Sequence, residues 1–214
     1  MEKETLKRIF EFLEEKEQQK PPFLWKHINN IPLTEEDLNV KGNLNLAYSS
    51  ITSLPEGLNV RGNLFLYKSK ITSLPEGLKV GGSLYLSKTL ITSLPEGLEV
   101  GHNLYLSFSK IKSLPKGLKV GDDLDLSYSK ITSLSEGLKV GGSLYLSKTL
   151  ITSLPEGLKV GYDLYLSFSK IKSLPKGLEV GGDLNIMKTQ LKEYTDDELR
   201  EMIQPGFIKK IIYR

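Results

Sequence analysis

The chain contains no cysteine and only two histidines, His27 and His102, which lie in different stretches. Without cysteine there is no thiol nucleophile, disulfide framework or thiolate zinc site, and two isolated imidazoles do not make metal-ligand spacing. Serines are abundant, but a serine nucleophile needs an adjacent base, and none recurs beside them. The Gly77-Leu78-Lys79-Val80-Gly81-Gly82 stretch and its copies are glycine-rich, yet no Gly-Lys-Ser/Thr follows and no helix opens there, so they read as turns. Asp123 and Asp125 are two apart on a strand and share a face, where they could serve an acid–base or cation site. No third ligand accompanies them, and they read as solvated carboxylates. No catalytic residue, metal ligand or cofactor is expected.

The residue types suited to recognition are more orderly. Phe65, Tyr85, Tyr105, Tyr145 and Tyr165 recur at multiples of 20 residues, as do Lys68, Lys88, Phe108, Tyr128, Lys148 and Phe168. Aromatic and basic side chains on an exposed surface are the anchors that interfaces use. The same rings could instead serve only to brace neighbouring strands.

Such recurrence requires repeated elements. Seven 20-residue units run without insertion from Ile51 to Gln190, residues 31–50 form a degenerate eighth, and Leu191 begins a ninth that breaks off. Units 71–90 and 131–150 differ only at Pro75 against Ser135, which points to duplication of a three-unit block. In unit 71–90 the apolar positions are Ile71, Leu74, Leu78, Val80, Leu84 and Leu86. Leu84-Tyr85-Leu86 alternates as a short strand, while Pro75-Glu76-Gly77 and Gly81-Gly82 bend the chain. Six inward side chains cannot offset the entropy of ordering a lone unit, so stability must come from stacking. At strand spacing of about 4.8 Å, each recurring residue becomes a ladder, and eight coils give roughly 38 Å of sheet. The nineteenth position is always Ser or Thr, from Ser49 to Thr189, and should turn inward to satisfy backbone groups at the bend.

The string Leu-x-Leu-x-x-Ser/Thr-x-Ile followed by Leu-Pro-x-x-Leu resembles the leucine-rich-repeat signature, with Ser or Thr where that family usually has Asn. The unit length and the Leu-Pro-x-x-Leu segment are most similar to the short bacterial class, which includes secreted effectors. The resemblance spans residues 31–190 and implies a solenoid, mainly β, with one short parallel strand per coil and extended or turn backbone on the other face. It also implies a non-catalytic scaffold that holds a protein, or an effector that sequesters a host protein. Some effectors append a cysteine-dependent ubiquitin ligase domain, for which this chain lacks the cysteine and the length.

The expected organisation is an N-terminal helical cap over 1–30, the solenoid over 31–190 and a C-terminal cap over 191–214. Leu6, Ile9, Phe10 and Leu13 form one stripe of a helix over 4–19, stopped by Pro21-Pro22, with Phe23, Leu24 and Trp25 adding apolar bulk. Thr195-Asp196-Asp197-Glu198 fits a capping box, with a helix through Leu199, Met202 and Ile203 and a docked β-prone tail after Pro205-Gly206.

Length and charge fit this picture. The 214 residues carry a net charge of +3, which arises in the repeats. The lysines at 68, 88, 148 and 188 are nearly balanced on the strand face by Asp123, Asp125, Asp163 and Asp183. Nucleic-acid or glycan binding through rings and lysines is therefore the weaker alternative. Without a signal-like apolar run at the start or an 18-residue apolar stretch, the expected chain is cytoplasmic or exported without a cleavable signal, binds no membrane and is monomeric.

Overall fold

The computed structural model describes residues 23–214. The helix expected over 4–19 lies outside the described residues. Residues 23–38 and 39–214 belong to separate compact units. In the first, helices α1 (Phe23–Ile28) and α2 (Glu35–Leu38) are joined by a short link. Thr34 caps α2 by exchanging bonds with Asp37: its N–H donates to Asp37 Oδ2 (2.8 Å), and its hydroxyl accepts from the Asp37 N–H (3.3 Å). Lys26 pairs with the same carboxylate at 2.8 Å. The first half of the degenerate unit thus carries a helical turn, because Thr34-Glu35-Glu36-Asp37 offers a cap where the other units offer a glycine turn.

In residues 39–214 the chain winds as a succession of coils whose backbones pair in register. Each coil contributes two strands of two residues, exemplified by Lys79–Val80 and Leu84–Tyr85. The Leu-aromatic strand is the one the alternation predicts; the strand carrying Val80 is additional, and it begins the other face of the coil. All strands pair in parallel, giving two sheets of nine strands, each in chain order, with successive strands of one sheet joined through a strand of the other. Each residue faces its counterpart 20 positions away, as in Leu84 opposite Leu104 and Val80 opposite Val100.

The inward positions are those expected. Ile71, Leu84 and Leu86 have no exposure, and Leu74, Leu78 and Val80 stay at or below 8%. Identical side chains stack on one another, so the core is a column of aliphatic layers. The bend after Leu74-Pro75-Glu76 needs a left-handed residue, supplied by Gly77 at φ 70° and by glycine at the same place through Gly177. A second glycine column has a different cause. A Cβ at Gly101, Gly121, Gly141 or Gly161 would collide with the carbonyl oxygen of the glycine one coil earlier. Close coil-to-coil approach, not backbone angle, excludes larger residues there.

The C-terminal segment packs on and pairs with the last coil. Gln190–Glu193 is a 3₁₀ turn, and α3 (Asp196–Met202) starts with a complete capping box between Thr195 and Glu198. Leu199 and Ile203 are fully buried. The tail then adds the ninth strand to each sheet, Phe207–Ile208 beside Glu179–Val180 and Ile212–Tyr213 beside Leu184–Asn185. Arg200 secures the tail by donating to the carbonyls of Ile208 and Lys210.

The glycine column gives a direct test. Gly121→Ala should lower unfolding free energy by about 1–3 kcal/mol through overpacking against the preceding coil. Gly42→Ala, where a Cβ meets nothing within 4 Å, should be near neutral in the same denaturant titration.

Candidate recognition face

The outer surface of the Leu-aromatic sheet is built from the residues that alternate with the buried leucines. Its central row is Asn45, Phe65, Tyr85, Tyr105, Asp125, Tyr145, Tyr165 and Asn185, all in strands. The rings lie face to face: Phe65 on Tyr85 at 4.6 Å between centroids, Tyr85 on Tyr105 at 4.8 Å, and Tyr145 on Tyr165 at 4.7 Å. These spacings are the strand spacing, so register alone sets them. Asp125 splits the row into a group of three rings and a group of two. The non-aromatic members share one local task. The side-chain oxygens of Asn45, Asp125 and Asn185 accept from the backbone N–H two residues on, at 3.1, 2.8 and 3.1 Å.

The second row does not lie where the sequence places it. Tyr48, Lys68, Lys88, Phe108, Tyr128, Lys148, Phe168 and Lys188 sit past the strand, each in left-handed backbone with φ between 54° and 59°. Each is the third residue of a tight turn, where glycine or asparagine is the usual occupant. The conformation is held from outside: Lys88 N–H donates to Ser107 of the next coil (3.0 Å), and Thr89 N–H closes the turn on Leu86 (3.3 Å). The side chains project to solvent, with Tyr48 70%, Phe108 49% and Phe168 51% exposed. Phe108 stacks on Tyr128 at 4.4 Å, and Lys148 Nζ lies 4.8 Å from the Tyr128 ring and 5.3 Å from Phe168. Lys88 Nζ is 5.2 Å from Phe108, and Lys68 Nζ is 5.3 Å from Tyr67. These lysines are therefore engaged with rings of their own chain.

A third row was legible only in part. The thirteenth position holds Asn43, Asn63, Ser83, Asn103, Asp123, Ser143, Asp163 and Asp183. Each side-chain oxygen accepts from the backbone N–H of its counterpart one coil on: Asn63 to Asn43 at 2.8 Å, Ser83 to Asn63 at 2.7 Å, Ser143 to Asp123 at 2.7 Å, Asp183 to Asp163 at 2.7 Å. Asp183 ends the ladder by accepting from Ile211 N–H of the tail (3.0 Å). The carboxylates that looked like free countercharges on this face, Asp123, Asp163 and Asp183, each commit one oxygen to this ladder. The signal in the sequence was a position restricted to short side chains with an acceptor oxygen.

The invariant Ser/Thr position is buried from Ser69 to Thr189 and half-buried at Ser49, and its hydroxyls divide: that of Ser49 donates to the Leu46 carbonyl at 2.6 Å and that of Ser129 accepts from Ile131 N–H at 3.4 Å. Thr89, Thr149 and Thr189 donate to the carbonyl three residues back, at 2.6, 2.7 and 2.7 Å. The hydroxyls of Ser69, Ser109 and Ser169 are buried without a partner. His102 pairs with Asp122 (2.8 Å) on an exposed bend, and Phe23 stacks on His27 at 5.8 Å. Among the described residues no three His, Asp or Glu side chains converge. No helix among them is long and apolar enough to cross a membrane.

Electrostatics on the face follow its burial and its carboxylates. Burial pushes the Tyr105 and Tyr145 hydroxyls up, and Asp123 and Asp125 push in the same direction. Tyr165 is pushed up to about 12, first by burial and then by its hydrogen bond to Asp163 Oδ2 at 3.1 Å. A tyrosine raised above its ordinary value of 10.0 stabilises the fold fully below that pH and loses the contribution as pH climbs to about 12. A tyrosinate absorbance titration should thus show late-ionising groups, of which Tyr165→Phe removes the one near 12, and wild-type stability should fall across the same interval more than that of the variant. In neutral buffer, Thr149→Val should cost about 1 kcal/mol by orphaning the Leu146 carbonyl, whereas Ser109→Ala should be neutral or slightly stabilising in urea unfolding.

No family model and no curated protein matches this sequence. Among solved structures, the leucine-rich-repeat domain of a Shigella effector is similar over 94% of this chain and 93% of that one, with a TM-score of 0.53 and 17% identity. At that identity the likeness concerns the fold. In-register coils of 20 residues, aliphatic layers and parallel sheets agree with it, and the chain has the fold of a bacterial-type leucine-rich-repeat solenoid.

Proposed function

We propose that this chain is a non-catalytic, monomeric scaffold whose outer Leu-aromatic sheet holds a protein partner. The observation that carries the reading is the exposed second row. Left-handed backbone costs a non-glycine residue roughly 1–2 kcal/mol. Lysine, tyrosine and phenylalanine nevertheless stand at all eight such positions. Side chains kept at a conformational cost and directed to solvent support a role outside the fold. Beside them the row Phe65, Tyr85, Tyr105, Tyr145 and Tyr165 supplies half-buried rings, rigid and already ordered by stacking, so little entropy is lost when a partner covers them. Lys68, Lys88, Phe108, Tyr128, Lys148 and Phe168 frame that row. The similar solved domain comes from an effector, and a scaffold that sequesters a protein target is in keeping with it.

A polyanion is the weaker candidate, because Lys68, Lys88 and Lys148 of the second row rest on rings and the neighbouring rows carry carboxylates. The two readings separate by experiment. The triple variant Tyr85→Ala, Tyr105→Ala, Tyr145→Ala should lose partner capture in pull-downs from the native cell while keeping its circular dichroism spectrum; retained capture overturns this face. Binding to a nucleic-acid probe that weakens roughly a thousandfold between 50 and 200 mM salt would establish the polyanion reading instead.

A further inference from the structure

We propose that the break in the aromatic row is a slot for one arginine side chain of the partner, its guanidinium layered between Tyr105 and Tyr145 and paired with Asp125 and Asp123. The inference rests on the reading of this sheet face as a protein-binding surface. Its geometry follows from register: Asp125 is directly opposite Tyr105 on one side and Tyr145 on the other. Two strand spacings set the flanking residues roughly 9–10 Å apart. In the filled parts of the row adjacent rings are 4.6–4.8 Å apart. One planar layer is missing, and one planar group restores the sequence of stacked faces.

The chemistry of that group is set by what lines the slot. Asp125 uses one oxygen for Ser127 N–H and Asp123 uses one for Ser143 N–H. Among the described residues neither carboxylate has a cationic partner; Lys148 is held by the Tyr128 hydroxyl at 2.9 Å. A neutral aromatic insert would cover these charges without pairing them, which is costly. A lysine ammonium would pair but has no faces to offer the two rings. Guanidinium does both, since it is planar, cationic and forks onto carboxylate oxygens. The charge is also surplus to the fold. Asn45 and Asn185 perform the same backbone task as Asp125 without one.

The test uses the whole chain and two probes, acetyl-Gly-Arg-Gly-amide and its lysine counterpart, titrated while tyrosine ring protons are followed by NMR. The arginine probe should bind roughly tenfold more tightly than the lysine probe and shift the Tyr105 and Tyr145 resonances. Asp125→Asn should keep the fold and reduce arginine binding by roughly tenfold, and Asp125→Tyr should abolish it by filling the slot. Equal affinity for the two probes, or arginine binding unchanged in Asp125→Asn, overturns the proposal. If Asp125→Tyr does not fold, the Asp125→Asn titration alone decides. A partner that is lost by the triple tyrosine variant but kept by Asp125→Asn overturns the slot and leaves the face standing. A partner kept by both overturns the face.

Discussion

The structure depends on backbone pairing between residues 20 positions apart. In one sheet Leu84 N–H donates to the Asn103 carbonyl at 2.8 Å; in the other Gly101 N–H donates to the Val80 carbonyl at 2.9 Å. Register is thus locked on two faces at once, and a slip in one sheet would break the other. Every other regularity is inherited from this lock. Like side chains meet like, so the core must be aliphatic, the outer rings must stack, and any bulk in the glycine column must strike the coil before it. Each coil is stabilised mainly by its neighbours, and the tail matters because it pairs the last open edge in both sheets.

Two kinds of polar bond accompany the lock. The Asn/Ser/Asp ladder runs between coils and takes up N–H groups at the corner between strands. The threonine hydroxyls act within a coil, each at the turn that follows the aromatic strand. The ladder also constrains its neighbour. Gly62, Gly82, Gly142 and Gly182 each follow, one coil on, an Asn or Asp whose oxygen a Cβ would strike. Where the preceding oxygen is the shorter serine's, at Ser83 and Ser143, the next coil carries His102 and Tyr162 instead. Asp122 after Asn103 departs from this pairing and instead meets His102 of the preceding coil at 2.8 Å.

Much of the fold was legible because burial leaves a periodic trace. Ile71, Leu74, Leu78, Val80, Leu84 and Leu86 read directly as inward, and Thr195 to Glu198 as a cap. The second sheet was not legible, since one buried valine beside a variable residue carries no alternation. The candidate face was legible in half. Tyr85 and its counterparts are outward because strands alternate. The outward position of Lys88 was right, but its backbone was not. Lysine and phenylalanine have no preference for left-handed angles, and the conformation is imposed by bonds to the next coil. The polar ladder escaped because Asn, Ser and Asp differ in charge and size while sharing the one property that counts there, an acceptor oxygen within reach of the coil above.

The left-handed row sets a relation between side-chain choice and array length. Its penalty recurs once per coil, and so does the gain at each new interface. Total stability therefore grows as the difference of two per-coil quantities, while the loss at the two ends is fixed. A steeper difference, as with glycine in that row, would let a shorter array hold together. A chain that retains lysines and rings there needs more coils to reach the same stability.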